Sequence, residues 1–249
     1  MNGKKLQNSP NEIIGWKDNM IVLYRLSDNG YKKPKFENAT KIHCLINALQ
    51  SFQHICLFVD ETNLKEETRK FLQSSDNHFD KLEFYCGGSS AGSFRHVMDY
   101  SLKLPDEEII YFLEDDYLHL SGSEDAIKEG ISKSDYVSLY DHNDKYIPAS
   151  QGGNAFIDDD GGEITKVFFI KNHHWKLTNS TTMSFATTVK VLKEDKEIWD
   201  KYVQGSHPND FQCFLELRER GRSLITPIPG LSTHTEPAWA APGIDWKVI

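Results

Sequence analysis

The sequence is poor in cysteine, in long apolar runs and in positive charge, and each shortage excludes something. Its four cysteines, Cys44, Cys56, Cys86 and Cys213, form no C-x-x-C pair, which rules out a zinc ribbon or a dithiol redox motif. Cys44 falls in a helical pattern and Cys56 in a strand pattern, the places of small buried hydrophobes in a reducing compartment. The longest apolar runs are about five residues, against the roughly 20 that span a bilayer. The opening stretch, MNGKKLQNSP, lacks the apolar segment of a signal peptide. The expected setting is the cytoplasm, with no integral membrane segment. With 28 basic against 37 acidic residues the net charge is −9, which argues against sequence-independent binding to nucleic acid or anionic lipid. There is no G-x-G-x-x-G, no H-E-x-x-H and no internal repeat, so dinucleotide-dehydrogenase, zincin and solenoid readings have no support.

What is present describes a globular chain. Its 249 residues, 39% hydrophobic and 26% charged, suffice for a core without disulfide or metal staples. Short apolar runs read as buried strands at Met20–Leu26, Ile55–Val59, Lys81–Cys86 and Ile109–Leu113. The turn after the first of these is Ser27-Asp28-Asn29-Gly30. Between the strands lie an amphipathic stretch from Phe36 to Phe52, a charged helix at Thr62–Gln73 and a helix at Ser90–Leu104. Strand and helix thus alternate, the pattern of a parallel sheet with right-handed crossovers. Ligands of such sheets bind beyond the carboxyl ends of the strands.

The second half differs. A fifth strand is expected at Tyr136–Tyr140, followed by a Gly-, Asn- and Asp-rich loop, His142–Gly162, whose length suggests a mobile, functional segment. Strands at Lys166–Ile170, Met183–Thr188 and Ser223–Ile228, helices at Val189–Tyr202 and Asn209–Arg220, and an irregular tail complete the reading. We expect one domain over 1–249, with a nucleotide-binding half at about 20–118 and an acceptor-side half at about 119–249.

Four signals carry chemistry. Glu114-Asp115-Asp116 directly follows the apolar Tyr111-Phe112-Leu113, with no lysine or arginine beside it in sequence. Three carboxylates at a strand end repel one another, and a hard divalent cation such as Mn2+ or Mg2+ would neutralise them. Strand alternation places Glu114 and Asp116 on one side and Asp115 on the other. The second signal, Gly87-Gly88-Ser89-Ser90-Ala91-Gly92-Ser93, follows a phosphate-loop pattern until Ser93 replaces the lysine. It remains a small-residue helix start able to offer N–H groups to a nucleotide. His234, within PIPGLSTHTE, is a nitrogen donor suited to Mn2+. Asp210, in Pro208-Asn209-Asp210-Phe211, opens a helix where an ionised carboxylate suits a general base. Two look-alikes fail. Asp158-Asp159-Asp160-Gly161-Gly162 puts Gly162 and Phe169 at EF-hand ligand positions, and His173-His174 has no metal-site spacing and suits a polar strand edge.

In this order the residues resemble the GT-A glycosyltransferases, with Glu114-Asp115-Asp116 as the D-x-D motif. More specifically they resemble a group of small GT-A proteins from bacteria and large viruses. The stretches that carry the likeness are IYFLEDDYLH, YVSLYDHNDKY, WKLTNSTTMSFA and PIPGLSTHTEPAWAAPGIDW. The resemblance implies an α/β fold with a mixed, mostly parallel central sheet flanked by helices. It implies an enzyme of polysaccharide biosynthesis that moves a sugar from a nucleoside-diphosphate sugar, UDP-linked, to a glycan-type acceptor with Mn2+ or Mg2+ as cofactor. Tyr24, Arg25, Asp60, Ser89, Ser90, Gly92, Ser93, Arg95 and Asp115 would contact the donor. Glu114, Asp116 and His234 would hold the metal. Asp210 would be the catalytic base of an inverting reaction and would have another role in a retaining one. Glu114 departs from the aspartate that opens the family motif. Two other classes share features with this chain. A sugar-phosphate nucleotidylyltransferase would carry a Gly-rich basic loop after the first strand, where Leu26-Ser27-Asp28-Asn29-Gly30 has a single glycine. A non-catalytic carbohydrate-binding protein would use the five tryptophans and ten tyrosines without needing the acidic triplet.

Overall fold

The computed structural model describes residues 20–29, 33–74 and 79–249. The opening MNGKKLQNSP and Gly30 of the first turn lie outside the described residues. The apolar runs form β1 (Met20–Ser27), β2 (Ile55–Asp60), β3 (Lys81–Tyr85) and β4 (Ile109–Glu114). They pair in parallel in the order β3-β2-β1-β4. Crossover helices α1 (Lys41–Ser51), α2 (Glu66–Leu72) and α3 (Ser90–Ser101) join them. The amphipathic stretch that begins at Phe36 becomes helical only at Lys41. Thr40 is the cap, its hydroxyl accepting from His43 N at 3.1 Å, while Phe36 and Ala39 pack into the core ahead of the helix.

Beyond β4 the sheet becomes mixed. The nine-stranded order continues through β9 (Phe185–Thr188), β6 (Tyr136–Val137), β10 (Leu224–Ile228), β8 (His173–Leu177) and β7 (Val167–Ile170). β9 runs antiparallel to both β4 and β6, and so closes the parallel half. β8 lies between β10 and β7, so His173-His174 sits inside the sheet rather than at its edge. The helical stretch after β9 divides at Asp195 into α5 (Val189–Glu194) and α6 (Lys196–Tyr202), and α7 spans Asp210–Glu219. Two apolar cores cover the two faces of the sheet. One holds Tyr24, Leu57, Tyr111 and Trp175, the other Phe58, Phe94, Phe112, Phe185 and Trp199.

Besides β8, the elements not expected from the sequence include β5 (Tyr117–His119), α4 (Ser123–Ile131) and β11 (Ser232–His234). β5 and β11 form a separate antiparallel ribbon with Ser232 opposite His119 and His234 opposite Tyr117. Tyr136–Tyr140 leaves the main sheet after Val137 to serve that ribbon, with Leu139 O accepting from Ser232 N at 3.0 Å and Tyr140 bridging Ser232. The tail read as irregular therefore contains one short strand, anchored on the residues that follow the acidic triplet.

His119 is sealed inside this ribbon. Its Nε2 lies 2.9 Å from the Tyr111 hydroxyl, and burial pushes the imidazole down to about 3. The folded value lies below the usual 6.5 of an unfolded histidine. The unfolded chain thus binds more protons, and stability is full above about pH 6.5 and declines as pH falls. Lowering the pH from 7 to 5 is expected to remove about 2 kcal/mol through this group. Urea unfolding of the parent chain and of His119→Gln should show that decrement only in the parent.

Candidate active site

The site forms where β4 ends. Glu114 is the last residue of β4 and stands beside Arg25 of β1 in register. The Arg25 guanidinium, almost wholly buried, lies 3.0 Å from Glu114 Oε1, donates to Ser90 O and packs over the Phe94 ring. Asp115 turns the other way. Its Oδ2 accepts from Ser27 N at 2.6 Å and from Lys41 Nζ at 2.8 Å. Burial works against the Lys41 charge, yet the Asp115 carboxylate outweighs it and raises the lysine pKa. Asp115 thus ties β1 to β4 through Oδ2, the oxygen that both donors share.

Asp116 faces the mouth. Thr235 N donates to its carbonyl at 3.0 Å, which seats β11 beside it. His234 Nε2 and Lys35 Nζ each lie 3.1 Å from the same carboxylate oxygen, Oδ2. Burial tends to raise the Asp116 pKa, but the His234 hydrogen bond and the charges of His234 and Lys35 hold it far below the usual carboxylate range. The same pairing raises His234 against the opposing effect of burial. Glu114 moves the opposite way. Burial raises its pKa, Arg25 offsets part of the rise, and the charges of Asp116 and Asp210 add to it. The triplet without cations beside it in sequence therefore has one for each carboxylate in space, from Arg25, Lys41 and Lys35.

Asp116 Oδ2 and His234 Nε2 offer one oxygen and one nitrogen, a donor pair that suits Mn2+ better than the oxygen-seeking Mg2+. Such ions are often held by one or two protein ligands and completed by phosphate oxygens and water. No group of three or more His, Cys, Asp or Glu suited to a metal occurs among the described residues, so phosphate would have to complete the shell. Glu236 N donates to His234 Nδ1 at 3.3 Å, which fixes the ring with Nε2 toward Asp116, and Glu236 Oε1 lies 3.6 Å from the same Nδ1.

Asp210 opens α7, but Asn209 is its cap, accepting from Gln212 N. Burial is the main influence on Asp210 and raises its pKa. Its Oδ1 accepts from Phe211 N at 2.7 Å, and this bond and the charges of His142 and Lys145 all act to lower that pKa. Other expected donor contacts lie elsewhere. Tyr24 is enclosed in the core and shows no stacking face. Asp60 is buried at the end of β2, where its Oδ1 accepts from Thr62 N at 2.9 Å. Arg95 donates to Val203 O at the end of α6, so its guanidinium is held on the helix layer. At the α3 start the N–H groups of Ala91, Gly92 and Ser93 are already bonded within the chain. Ala91 N bonds Ser206 O, Gly92 N bonds Ser89 Oγ and Ser93 N bonds Ser89 O, while the Ser93 hydroxyl meets that of Tyr85. Gly92 is needed for close approach, since a Cβ there would lie 2.1 Å from Gly87 O. Ser89, Gly92 and Ser93 therefore serve the local backbone here, and Ser90 O accepts from Arg25.

The sequence reading missed a buried ionic network behind the mouth. Lys176 Nζ contacts Asp141 Oδ1 at 2.9 Å, the Tyr146 hydroxyl at 3.1 Å and Glu163 Oε2 at 3.5 Å. Lys145 Nζ donates to Asn179 Oδ1 at 2.6 Å and Ser180 Oγ at 2.7 Å, and burial lowers its pKa. Asn154 bonds Asp144 and Asn179. These contacts pin the His142–Gly162 loop, as does Gly153, where a Cβ would lie 1.8 Å from Ile147 O. The loop expected to be mobile is an anchored wall. A cavity of about 220 Å³ lies apart from the acidic triplet, between α7 and the segment Glu163–Thr165.

No family model matches this sequence, and no curated protein matches it. Among solved structures, the fold is similar to that of GalNAc-T7 crystallised with UDP, GalNAc and Mn2+. The TM-score is 0.57 at 12% identity over 89% of this chain and 45% of that one. This chain therefore spans less than half of that neighbour. A Methanothermobacter nucleotidyl transferase superposes with a TM-score of 0.49 at 11% identity, over 84% of this chain and 86% of that one. The likeness to GalNAc-T7 establishes the α/β, GT-A-like fold. No helix among the described residues is long and apolar enough to cross a membrane.

Removing one member of a buried ion pair strands its partner and typically costs about 3–5 kcal/mol. Lys176→Met should lower unfolding stability by about that much, measured in urea. It should also make the 142–162 segment the first site of limited proteolysis, which the parent chain resists there.

Proposed function

We propose that this chain is a metal-dependent glycosyltransferase. It transfers a sugar from a nucleoside-diphosphate sugar, UDP-linked, to a hydroxyl of a glycan acceptor. The observation that carries this reading is the shared carboxylate oxygen of Asp116 within reach of His234 at the end of β4, with Glu114 beside it and Asp210 facing the same mouth. The fold neighbour crystallised with UDP, GalNAc and Mn2+ supports it.

In this reading Asp116 and His234 hold the divalent ion, and Glu236 orients the imidazole through Nδ1. When bound, the ion supplies positive charge to the leaving diphosphate. Asp210 takes the proton of the acceptor hydroxyl. Its pKa, raised by burial, brings its basicity closer to that of the proton it must receive. Arg25 and Lys41 keep Glu114 and Asp115 compensated, so the two acids shape the floor of the site without repelling the donor. The charges of His142 and Lys145 act on Asp210 against the effect of burial and favour its ionised, proton-accepting form.

A donor-only assay tests the class. Release of nucleoside diphosphate and free sugar in the presence of Mn2+ is the expected result. Pyrophosphate release would assign nucleotidyl transfer instead, and absence of turnover would favour a binding protein. Asp116→Asn should abolish the Mn2+-dependent thermal shift produced by UDP, because a ligand that binds only the native state must raise its stability. An undiminished shift in that variant overturns the metal assignment. Asp210→Asn should bind UDP normally and turn over about 10²–10⁴ times more slowly, the usual worth of a positioned general base. Asn209 keeps the helix cap in that variant, so its melting temperature should stay close to that of the parent.

A further inference from the structure

Lys35 stands on the atom that a metal would need. Its ammonium is 3.1 Å from Asp116 Oδ2, the same oxygen that lies 3.1 Å from His234 Nε2. A lysine side chain is long and loses much rotamer freedom when held in one place. Here the chain on both sides is fixed to the strand that carries His234. Phe36 N donates to Thr235 O at 3.0 Å, and Lys33 pairs with Glu236. The segment is thereby stitched to the two residues that follow β11, with Lys35 on Asp116. Arg25 and Lys41 already compensate Glu114 and Asp115, so Lys35 is the cation assigned to Asp116.

We propose that Lys35 is a tethered competitor of the divalent cation. It occupies Asp116 Oδ2 in the metal-free site and must leave that oxygen before a divalent ion can take it. Its ammonium then becomes available to the diphosphate oxygens of the donor. Metal alone must displace a resident charge, whereas metal arriving with a nucleoside diphosphate supplies that charge with a new partner. The structure thus links metal affinity to the presence of the donor. The inference rests on the metal reading of Asp116 and His234 given above.

Calorimetric titration of Mn2+ into the full chain, with and without UDP, tests it without any turnover. Lys35→Met keeps the aliphatic stem and removes the charge, and Lys35→Arg keeps the charge. In the absence of UDP, Lys35→Met should bind Mn2+ about fivefold more tightly or better, the factor a unit charge at about 4 Å exerts even in water. Lys35→Arg should stay within about twofold of the parent, since it retains the charge at the same place. UDP should strengthen Mn2+ binding more in the parent than in Lys35→Met. Thermal unfolding of each variant confirms that it folds, and Lys35→Gln replaces Lys35→Met should the latter not fold. Equal or weaker Mn2+ binding by the charge-free variant, with Asp116→Asn abolishing binding, overturns the competition while leaving the metal site intact. Absence of Mn2+ binding by the parent and all the variants overturns both.

Discussion

Three neighbouring carboxylates at the end of a buried strand cannot remain uncompensated, and much of the molecule is arranged around that constraint. Glu114 takes Arg25 from the adjacent strand, Asp115 takes Lys41 from the first turn of α1, and Asp116 takes Lys35 from the approach to that helix. The compensation divides labour as it neutralises charge. The Asp115 contacts lie below the mouth and lock β1 to β4, whereas those of Asp116 face it. The opposite displacements of Glu114 and Asp116 from ordinary carboxylate behaviour follow from this division. A pair of acids pushed apart in this way is a common mark of a functional site.

The parallel half of the fold was legible because its signals are local. Apolar runs such as Met20–Leu26 and Ile109–Leu113 are long enough to be strands, and the stretches between them have helical period. The ribbon of β5 and β11 was not legible. Tyr117–His119 and Ser232–His234 are three residues each, too short for any periodicity, and their pairing is set by tertiary contact. The same holds for the site. Asp116, His234 and Asp210 could be named from residue type and position. Lys35 and the Lys145–Lys176 network could not, because an ordinary surface lysine and a buried one read alike until the partners are in place.

The small-residue start of α3 shows the converse case. Its sequence reads as a phosphate loop, yet Ser89 and Ser206 consume the N–H groups at Ala91, Gly92 and Ser93. A motif specifies that a backbone can approach closely; it does not specify what approaches. Here another part of the same chain does so, the segment between α6 and α7. The long polar loop is a similar case, since Gly, Asn and Asp richness describes turns and says nothing of the two buried lysines beneath them.

The order of these residues along the chain has a consequence for synthesis. Arg25, Lys35 and Lys41 all precede the acids they compensate, while His234 comes more than a hundred residues after Asp116. A chain emerging from the ribosome, folding in its N-terminal part first, has its counter-charges in hand when the acidic strand end appears. It can close β1 on β4 without waiting for the rest. The imidazole arrives last, with the strand that completes the ribbon, so a partly made chain is electrostatically settled yet lacks the ring that pairs with Asp116.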